Sequence, residues 1–170
     1  KYCESQVETV GMYIEDRHDG DVLTKTFVDF FHIGAMDWLP NQEAINWLLN
    51  EVWTEFKNQN SDAELHLAGR SMPTNLLNLT EPGYFNHNEV ASAPDFIAKH
   101  TIMLVPLFSG SGLRVKIIEG MAMGKCIIST SLGAEGIPIT HGSNILIADT
   151  KEEFISTMQF CYDNIDKVNN

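Results

Sequence analysis

Basic residues are scarce in this chain of 170 residues. Eleven lysines and arginines stand against 23 aspartates and glutamates, so the formal net charge is −12 and the isoelectric point is near 4.7. Proteins bind nucleic acids largely through clustered cations that contact phosphates, and this charge balance therefore argues against a nucleic-acid partner. It does not exclude a small phosphate ligand in a local cationic pocket.

Cysteine is also rare, and Cys3, Cys126 and Cys161 lie far apart without a CxxC pair. This spacing indicates neither a disulfide framework nor a zinc site, and no metal-ligand cluster is visible elsewhere. Cys126 falls in an apolar run and is expected to be a buried thiol. A reducing cytoplasm fits this usage. The sequence also lacks an apolar run of 18 residues and a signal-peptide pattern, so we expect no membrane span.

What is present is an alternation of strand and helix patterns in a chain of ordinary globular composition. Apolar runs predict strands at 27–33, 63–68, 102–105, 126–129 and 144–148. Helical spacing predicts a long helix from Pro40 to Phe56, a short one near 95–99 and another after 112. A capping box from Thr150 to Glu153 opens the last helix. Residues 71–94 are predicted to be rich in loops.

Segment 106–130 carries the strongest functional signal. It leaves an apolar run, passes through a glycine-rich loop at 109–112 and enters a helix-like stretch with Arg114, Lys116 and Glu119. Cations are disfavoured in the first turn of a helix, whereas an anion is favoured there. Two cations at this position therefore suggest a bound negative group. The alternative is an ordinary strand–loop–helix turn with solvated charges.

The alternation predicts an α/β fold with a parallel sheet and helices on both faces. In such sheets, ligands bind beyond the carboxyl ends of the strands. This rule brings the loops after 33, 68, 105 and 129 to one edge, where they could share a cleft. The alternative is that these glycine-containing segments are only the turns that the fold requires.

Several blocks resemble the C-terminal half of group-1 (family 4-like) retaining glycosyltransferases. The blocks are 31–41, 63–70, 105–130, 133–136 and 144–149, and the resemblance covers roughly residues 27–165. It implies one half of a GT-B fold, with residues 27–170 as the domain that binds a nucleotide-sugar donor and 1–26 as a leading segment or interdomain linker. An N-terminal acceptor domain would complete the enzyme, which would be a cytoplasmic hexosyltransferase of polysaccharide or glycan biosynthesis.

The resemblance also assigns residues of the paired-glutamate motif. Its second glutamate matches Glu119, which would hold the ribose hydroxyls of the donor, as a carboxylate can by accepting two hydrogen bonds. The alternative is that Glu119 pairs with Lys116 on the helix surface. The first glutamate, which contacts the transferred sugar in the family, falls on Ser111, where the chain departs from the pattern.

The family's cationic clamp on the donor diphosphate is missing after the first strand, and Arg114 and Lys116 are the natural substitutes. Neutralising a diphosphate leaving group is the main electrostatic demand of glycosyl transfer. Gly110 and Gly112 would let the backbone approach the donor.

Two further charged residues are candidates for donor contact. Arg70 could line the nucleotide pocket or cap its loop, and Glu135 lies in a loop of the expected ligand edge. Residues 86–88 could contact the base. The other histidines show no ligand spacing and are expected to be packing or surface residues, and the three tryptophans are expected in the core or a domain interface.

The sequence thus predicts a domain that binds a UDP- or GDP-linked sugar for transfer to an acceptor, with retention implied by the resemblance. No metal or separate cofactor is expected, and any membrane association would depend on the missing domain. A non-catalytic domain that senses nucleotide sugars or acts as a scaffold is the first alternative. A nucleotide-sugar epimerase of similar fold is disfavoured, because its catalytic acidic and histidine residues cannot be located in this sequence.

Overall fold

The computed structural model describes residues 28–164. The strands are β1 Asp29–Ile33, β2 Glu64–Ala68, β3 Tyr84–Asn86, β4 Ile102–Val105, β5 Cys126–Ser129 and β6 Leu146–Ile147. The helices are α1 Leu39–Trp47, α2 Thr54–Gln59, α3 Thr74–Leu77, α4 Ala93–Lys99, α5 Val115–Ala122 and α6 Lys151–Asp163. A π-helical segment, Leu48–Trp53, joins α1 to α2. The predicted leading segment, 1–26, lies outside the described residues.

The six strands form one parallel sheet in the order β3-β2-β1-β4-β5-β6. Strand β1 lies near the centre, with Phe31 opposite His66 of β2 on one side and opposite Met103 of β4 on the other. Parallel neighbours require crossover connections, and helices supply most of them here. The predicted Rossmann-like α/β fold is confirmed.

Helices cover both faces of the sheet because neighbouring strand residues point to opposite faces. Phe30 belongs to the buried cluster that packs against Trp53, α2 and α6. Its neighbour Phe31 belongs to the cluster on the other face, under Phe96 of α4 and under α5. Strands buried on both faces explain why the sequence reads as short continuous apolar runs.

The capping box at the start of α6 has the predicted form. The Thr150 hydroxyl accepts a hydrogen bond from the backbone N–H of Glu153 at 3.2 Å, and the Glu153 carboxylate accepts one from the backbone N–H of Thr150 at 3.2 Å. Each contact satisfies a backbone donor that the helix leaves unpaired. The long predicted helix is also present, although it runs to Gln59 and contains the π-helical segment.

Residues 71–94 are rich in loops as predicted, but they also contain α3 and β3, which the sequence analysis did not assign. Strand β3 has only three residues and is defined by its pairing with β2, not by an apolar run. Two expectations need correction. The predicted strand at 144–148 is reduced to Leu146–Ile147, the residues in register with β5. Cys126 is half-buried, and its sulfur lies 3.8 Å from that of the buried Cys161.

None of the helices within residues 28–164 combines the length and the hydrophobicity that crossing a bilayer requires.

Candidate functional site

A cavity of about 560 Å³ opens at the carboxyl ends of the central strands. Its walls come from the segments that follow β1, β2, β3 and β4. The lining residues are Ile33, Gly34, Ala35, Trp38, Asn41, Gly69, Arg70, Glu89, Val90, Ala93, Ile97, Ser111, Leu113, Arg114, Val115, Lys116 and Glu119. A cavity of this size is ordinary for a small-molecule site.

The topology of the sheet explains why the cavity lies there. Strands β1 and β4 are neighbours, but the chain leaves β1 toward one face of the sheet and leaves β4 toward the other. The two connections therefore diverge and leave a crevice at the strand ends, which is the usual ligand position in doubly wound sheets. The predicted gathering of loops at one edge is confirmed for the loops after β1, β2 and β4.

Arg114 is buried at the wall of this cavity, with 5% of its surface exposed. One terminal nitrogen, Nη1, donates hydrogen bonds to the backbone oxygens of Ser111, at 2.8 Å, and of Gly112. Nε and the other terminal nitrogen, Nη2, are buried without a hydrogen-bond partner in residues 28–164. The guanidinium carbon lies 4.9 Å from the ring centroid of Trp38, within cation–π distance. A solvated arginine, the alternative considered from sequence, does not describe this residue.

Lys116 points from the first turn of α5 toward the end of β1. Its ammonium group donates a hydrogen bond to the side-chain oxygen of Asn41 at 2.9 Å and lies 3.4 Å from Nε2 of His32. A Cβ atom at Gly34 would lie 2.8 Å from this ammonium, so glycine makes room for it. Desolvation, and then the positive charge of Arg114, lower the pKa of Lys116 to about 7.

His32, Trp38 and Asn41 are site residues that the sequence analysis did not assign. The Nδ1 of buried His32 lies 2.8 Å from the backbone oxygen of Leu104, and desolvation holds its pKa well below the ordinary value. His32 is therefore neutral, with Nδ1–H donating to the carbonyl and Nε2 turned toward Lys116. All three residues lie in or beside the block 31–41, but only the fold brings that block against α5.

The two glycines of the glycine-rich loop at 109–112 have different surroundings. Gly110 has φ +88°, and a Cβ atom there would lie 2.6 Å from the ring of Trp38. Gly112 has φ +95° and open space around it. Both need a left-handed backbone that favours glycine. Neither lines the cavity, so their role in admitting a donor stays a prediction.

Of the four remaining residues that the sequence predicted for the site, three line the cavity and one does not. Glu119, Ser111 and Arg70 line it, and Arg70 forms an exposed ion pair with Asp37 at 3.2 Å. Within residues 28–164 no ion pair joins Glu119 to Lys116, contrary to the surface-pair alternative. Glu135 is exposed and does not line the cavity.

The cavity is lined by three cationic residues, Arg70, Arg114 and Lys116, and by two carboxylates, Glu89 and Glu119. Among the described residues no carboxylate lies within ion-pair distance of Arg114 or Lys116. Helix α5 begins beside them at Val115 without a capping side chain, so the positive end of its dipole adds to both charges. Two adjacent cations, poorly solvated and unpaired, are unfavourable unless an anion joins them. The arrangement can hold a polyanionic group.

Solved structures of other proteins share this fold. Anabaena Alr3699/HepE in complex with UDP and glucose matches with a TM-score of 0.63 at 14% identity, over 84% of this chain and 40% of that one. The pneumococcal O-GlcNAc transferase GtfA in complex with UDP and GlcNAc matches with a TM-score of 0.60 at 14% identity, over 84% of this chain and 29% of that one. At such identities the likeness concerns the fold alone.

The amino-acid sequence also matches a known protein and a family model. A Klebsiella pneumoniae protein described as an uncharacterized 44.6 kDa protein in the cps region is 26% identical, over 72% of this chain and 34% of its own length. The chain thus spans about a third of this relative. The family model described as Glycosyl transferases group 1 matches residues 28–164, which is the whole of the described structure. The chain belongs to the group 1 glycosyltransferases.

Proposed function

We propose that this chain is the donor-binding domain of a glycosyltransferase that transfers a sugar from a nucleotide sugar to an acceptor, with retention of configuration. The observation that carries the proposal is the buried guanidinium of Arg114. Two of its nitrogens have no partner among the described residues, and it lies beside Lys116 at the cavity wall. A diphosphate is the part of a nucleotide sugar that would satisfy both residues.

Arg114 and Lys116 would contact the diphosphate in different ways, because their cationic groups differ in shape. Arg114 can grip phosphate oxygens through a fork of N–H donors, whereas Lys116 acts as a point charge. When the glycosidic carbon–oxygen bond breaks, the electron pair stays on the leaving diphosphate. The two cations and the first turn of α5 would stabilise that developing charge. The UDP complexes of HepE and GtfA support this class of ligand.

The nucleoside end of the donor is assigned to Glu119. This carboxylate lines the same cavity, one helical turn beyond Lys116, and is half-buried. It would accept hydrogen bonds from two ribose hydroxyls, which are stronger than neutral hydrogen bonds because the acceptor is charged. Arg70 can also turn toward the ligand, since its exposed ion pair with Asp37 stabilises the present position only weakly.

A thermal-shift panel of UDP-, GDP- and ADP-sugars tests the proposal on this chain. A ligand that binds only the folded state raises the unfolding midpoint by mass action. We expect a UDP- or GDP-sugar to raise it, and Lys116→Met to remove most of the shift. Lys99→Met, a change of the same type at the last residue of α4, which does not line the cavity, should leave the shift intact. A shift that survives Lys116→Met, or no shift with any nucleotide, would overturn the proposed site.

A non-catalytic sensing domain is the second candidate, and Ser111 favours it. This position lines the cavity where the family pattern has a glutamate, and a hydroxyl cannot supply that charge. Catalysis also needs an oriented acceptor, which can lower a barrier by about 7–11 kcal/mol. We expect this chain alone to bind nucleotides weakly without transfer, and a longer protein with an acceptor domain to turn over. A longer protein that binds donors but transfers to no acceptor in a broad glycan and lipid panel would favour sensing.

A further inference from the structure

Three histidines that are far apart in sequence meet on the sheet face covered by α4. His66 lies in the middle of β2, His87 directly follows β3, and His100 directly follows α4. One ring nitrogen from each lies within 4.8 Å of the corresponding nitrogen of the other two. The closest pair is Nδ1 of His66 and Nε2 of His87, at 2.9 Å. The expectation that His66 and His100 show no ligand spacing is therefore corrected, and His87, expected as a possible contact of the base, lies beside them.

Carboxylates orient two of the three imidazole rings. Nδ1 of His100 lies 2.6 Å from Asp29, whose other oxygen accepts the backbone N–H of Thr101 at 2.7 Å. Nε2 of His66 lies 3.2 Å from Glu64. Each of these nitrogens must carry the proton that it donates, so the other nitrogen of each ring, Nε2 of His100 and Nδ1 of His66, is left as an electron-pair donor. This carboxylate–histidine pairing is characteristic of metal-ligating histidines.

We propose that His66, His87 and His100 bind one divalent transition-metal ion of the Zn²⁺ type. Neutral imidazoles suit zinc, nickel, cobalt and copper, whereas magnesium and calcium prefer oxygen ligands. Ligand nitrogens in a tetrahedral zinc site lie about 3.3 Å apart, given metal–nitrogen distances near 2.0–2.1 Å. The 2.9 Å between His66 and His87 is close to that spacing, and a metal ion would replace the proton that they now share.

The surroundings give the ion a way in and leave room for a further ligand. His87 is exposed, His66 is half-buried and His100 is buried, so the cluster opens to solvent on one side. Three histidines with a water in the fourth position form a complete zinc coordination shell. Rings of Phe85 and Phe96 pack against the cluster and limit the movement of the imidazoles.

The bound ion would tie the connection between β3 and α4 to the sheet. That connection carries Glu89 and Val90, which line the cavity described above, as does Ala93 at the start of α4. The ion itself would lie under α4, on the sheet face, among ligands that do not line that cavity. The ion would therefore lie outside the proposed donor site.

The experiment is a titration of the metal-free chain, carrying no polyhistidine tag, with Co²⁺. We expect one Co²⁺ per chain, with the intense visible bands of four-coordinate cobalt, and loss of those bands when Zn²⁺ is added. Zn²⁺ at a hundred times its dissociation constant should raise the unfolding midpoint by about 5–10 °C. A weak, six-coordinate spectrum, or no saturable binding, would overturn the proposal.

Variants separate this site from unspecific binding. His87→Ala removes an exposed ligand and should weaken Co²⁺ binding by at least about tenfold. Glu64→Gln should weaken it by about 10–100-fold, because the carboxylate orients a ligand without touching the ion. His141→Ala, a change of another exposed histidine outside the cluster, should leave binding unchanged. Equal affinity in the His87 variant and the wild type would show that the ligands lie elsewhere.

Discussion

Raising the pH above 7 should weaken the binding of a nucleoside diphosphate to this domain through a single group, Lys116. Desolvation and the charge of Arg114 lower the pKa of this ammonium to about 7 in the free chain. A diphosphate between the two cations would favour the charged form and raise the pKa again. Binding above pH 7 must therefore take up a proton, and the proton becomes harder to supply as the pH increases.

The magnitude follows from the size of the pKa shift. With a pKa of about 7, Lys116 is about one-tenth protonated at pH 8 and about one-hundredth protonated at pH 9. Affinity for the diphosphate should fall by up to tenfold per pH unit, or about 1.4 kcal/mol each, until the pKa of the complex is reached. The ligand itself adds little above pH 7.5, because a terminal phosphate loses its last proton near pH 6.

In the absence of ligand, the lowered pKa of Lys116 acts on the free energy of unfolding, and it does so in the opposite direction. The unfolded chain holds the Lys116 proton up to an ordinary pKa of 10.5, whereas the folded chain releases it near 7. The unfolded state thus binds more protons between these values, and the contribution of Lys116 to the free energy of unfolding rises with pH across that window.

Isothermal titration calorimetry with UDP and GDP between pH 7.5 and 9 measures this effect. Repeating the titration in buffers of different ionisation enthalpy counts the protons taken up. Lys116→Met should bind more weakly at pH 7.5 but lose the pH dependence, and Lys99→Met should retain it. A wild-type affinity that is flat over this range, or that falls in parallel with that of Lys116→Met, would refute the assignment of the proton to Lys116.

Three further predictions concern the donor and the fold. Glu119→Gln keeps the shape of the side chain but weakens charge-assisted hydrogen bonds worth about 1.5–3 kcal/mol. Calorimetry should therefore show a loss of donor affinity on the order of tenfold with the fold intact. Unchanged affinity would remove Glu119 from the site. Arg114→Ala and Lys116→Ala should each weaken nucleoside-diphosphate binding more than nucleoside binding, and an equal loss for both ligands would mean that the residues act through structure. Thr150→Ala removes the capping hydroxyl of α6 and should lower the free energy of unfolding by about 1 kcal/mol in urea denaturation, whereas no change would show that the cap contributes nothing.

Local patterns in the sequence were sufficient for most of the fold. Strand β4 is buried on both faces and is apolar without interruption, whereas β1 also contains the buried polar residues Asp29 and His32. The capping box at Thr150 is equally local, since it depends on residues three positions apart. Strand β3 could not be found in this way, because only Tyr84 of its three residues is buried and the strand is defined by its pairing with β2.

The candidate site was only partly accessible to the same reasoning. The glycine-rich loop and the adjacent Arg114, Lys116 and Glu119 are close in sequence, and the rule that parallel strands bind ligands at their carboxyl ends is general. That rule placed them at the edge of the sheet where the cavity lies. It could not show that Arg114 is buried, because burial depends on Trp38, a residue from a different connection.

The sequence by itself determined the order of most strands and helices, the family and the edge of the sheet where the cavity lies, because these depend on periodicity and on spacing along the chain. Tertiary structure alone decided which residues become neighbours across strands. It brought His32 and Asn41 to Lys116, which sets the environment of that ammonium. It also gathered three histidines, 21 and 13 residues apart, under α4. Side-chain burial and pairing depend on packing between distant segments, so local sequence patterns cannot predict them.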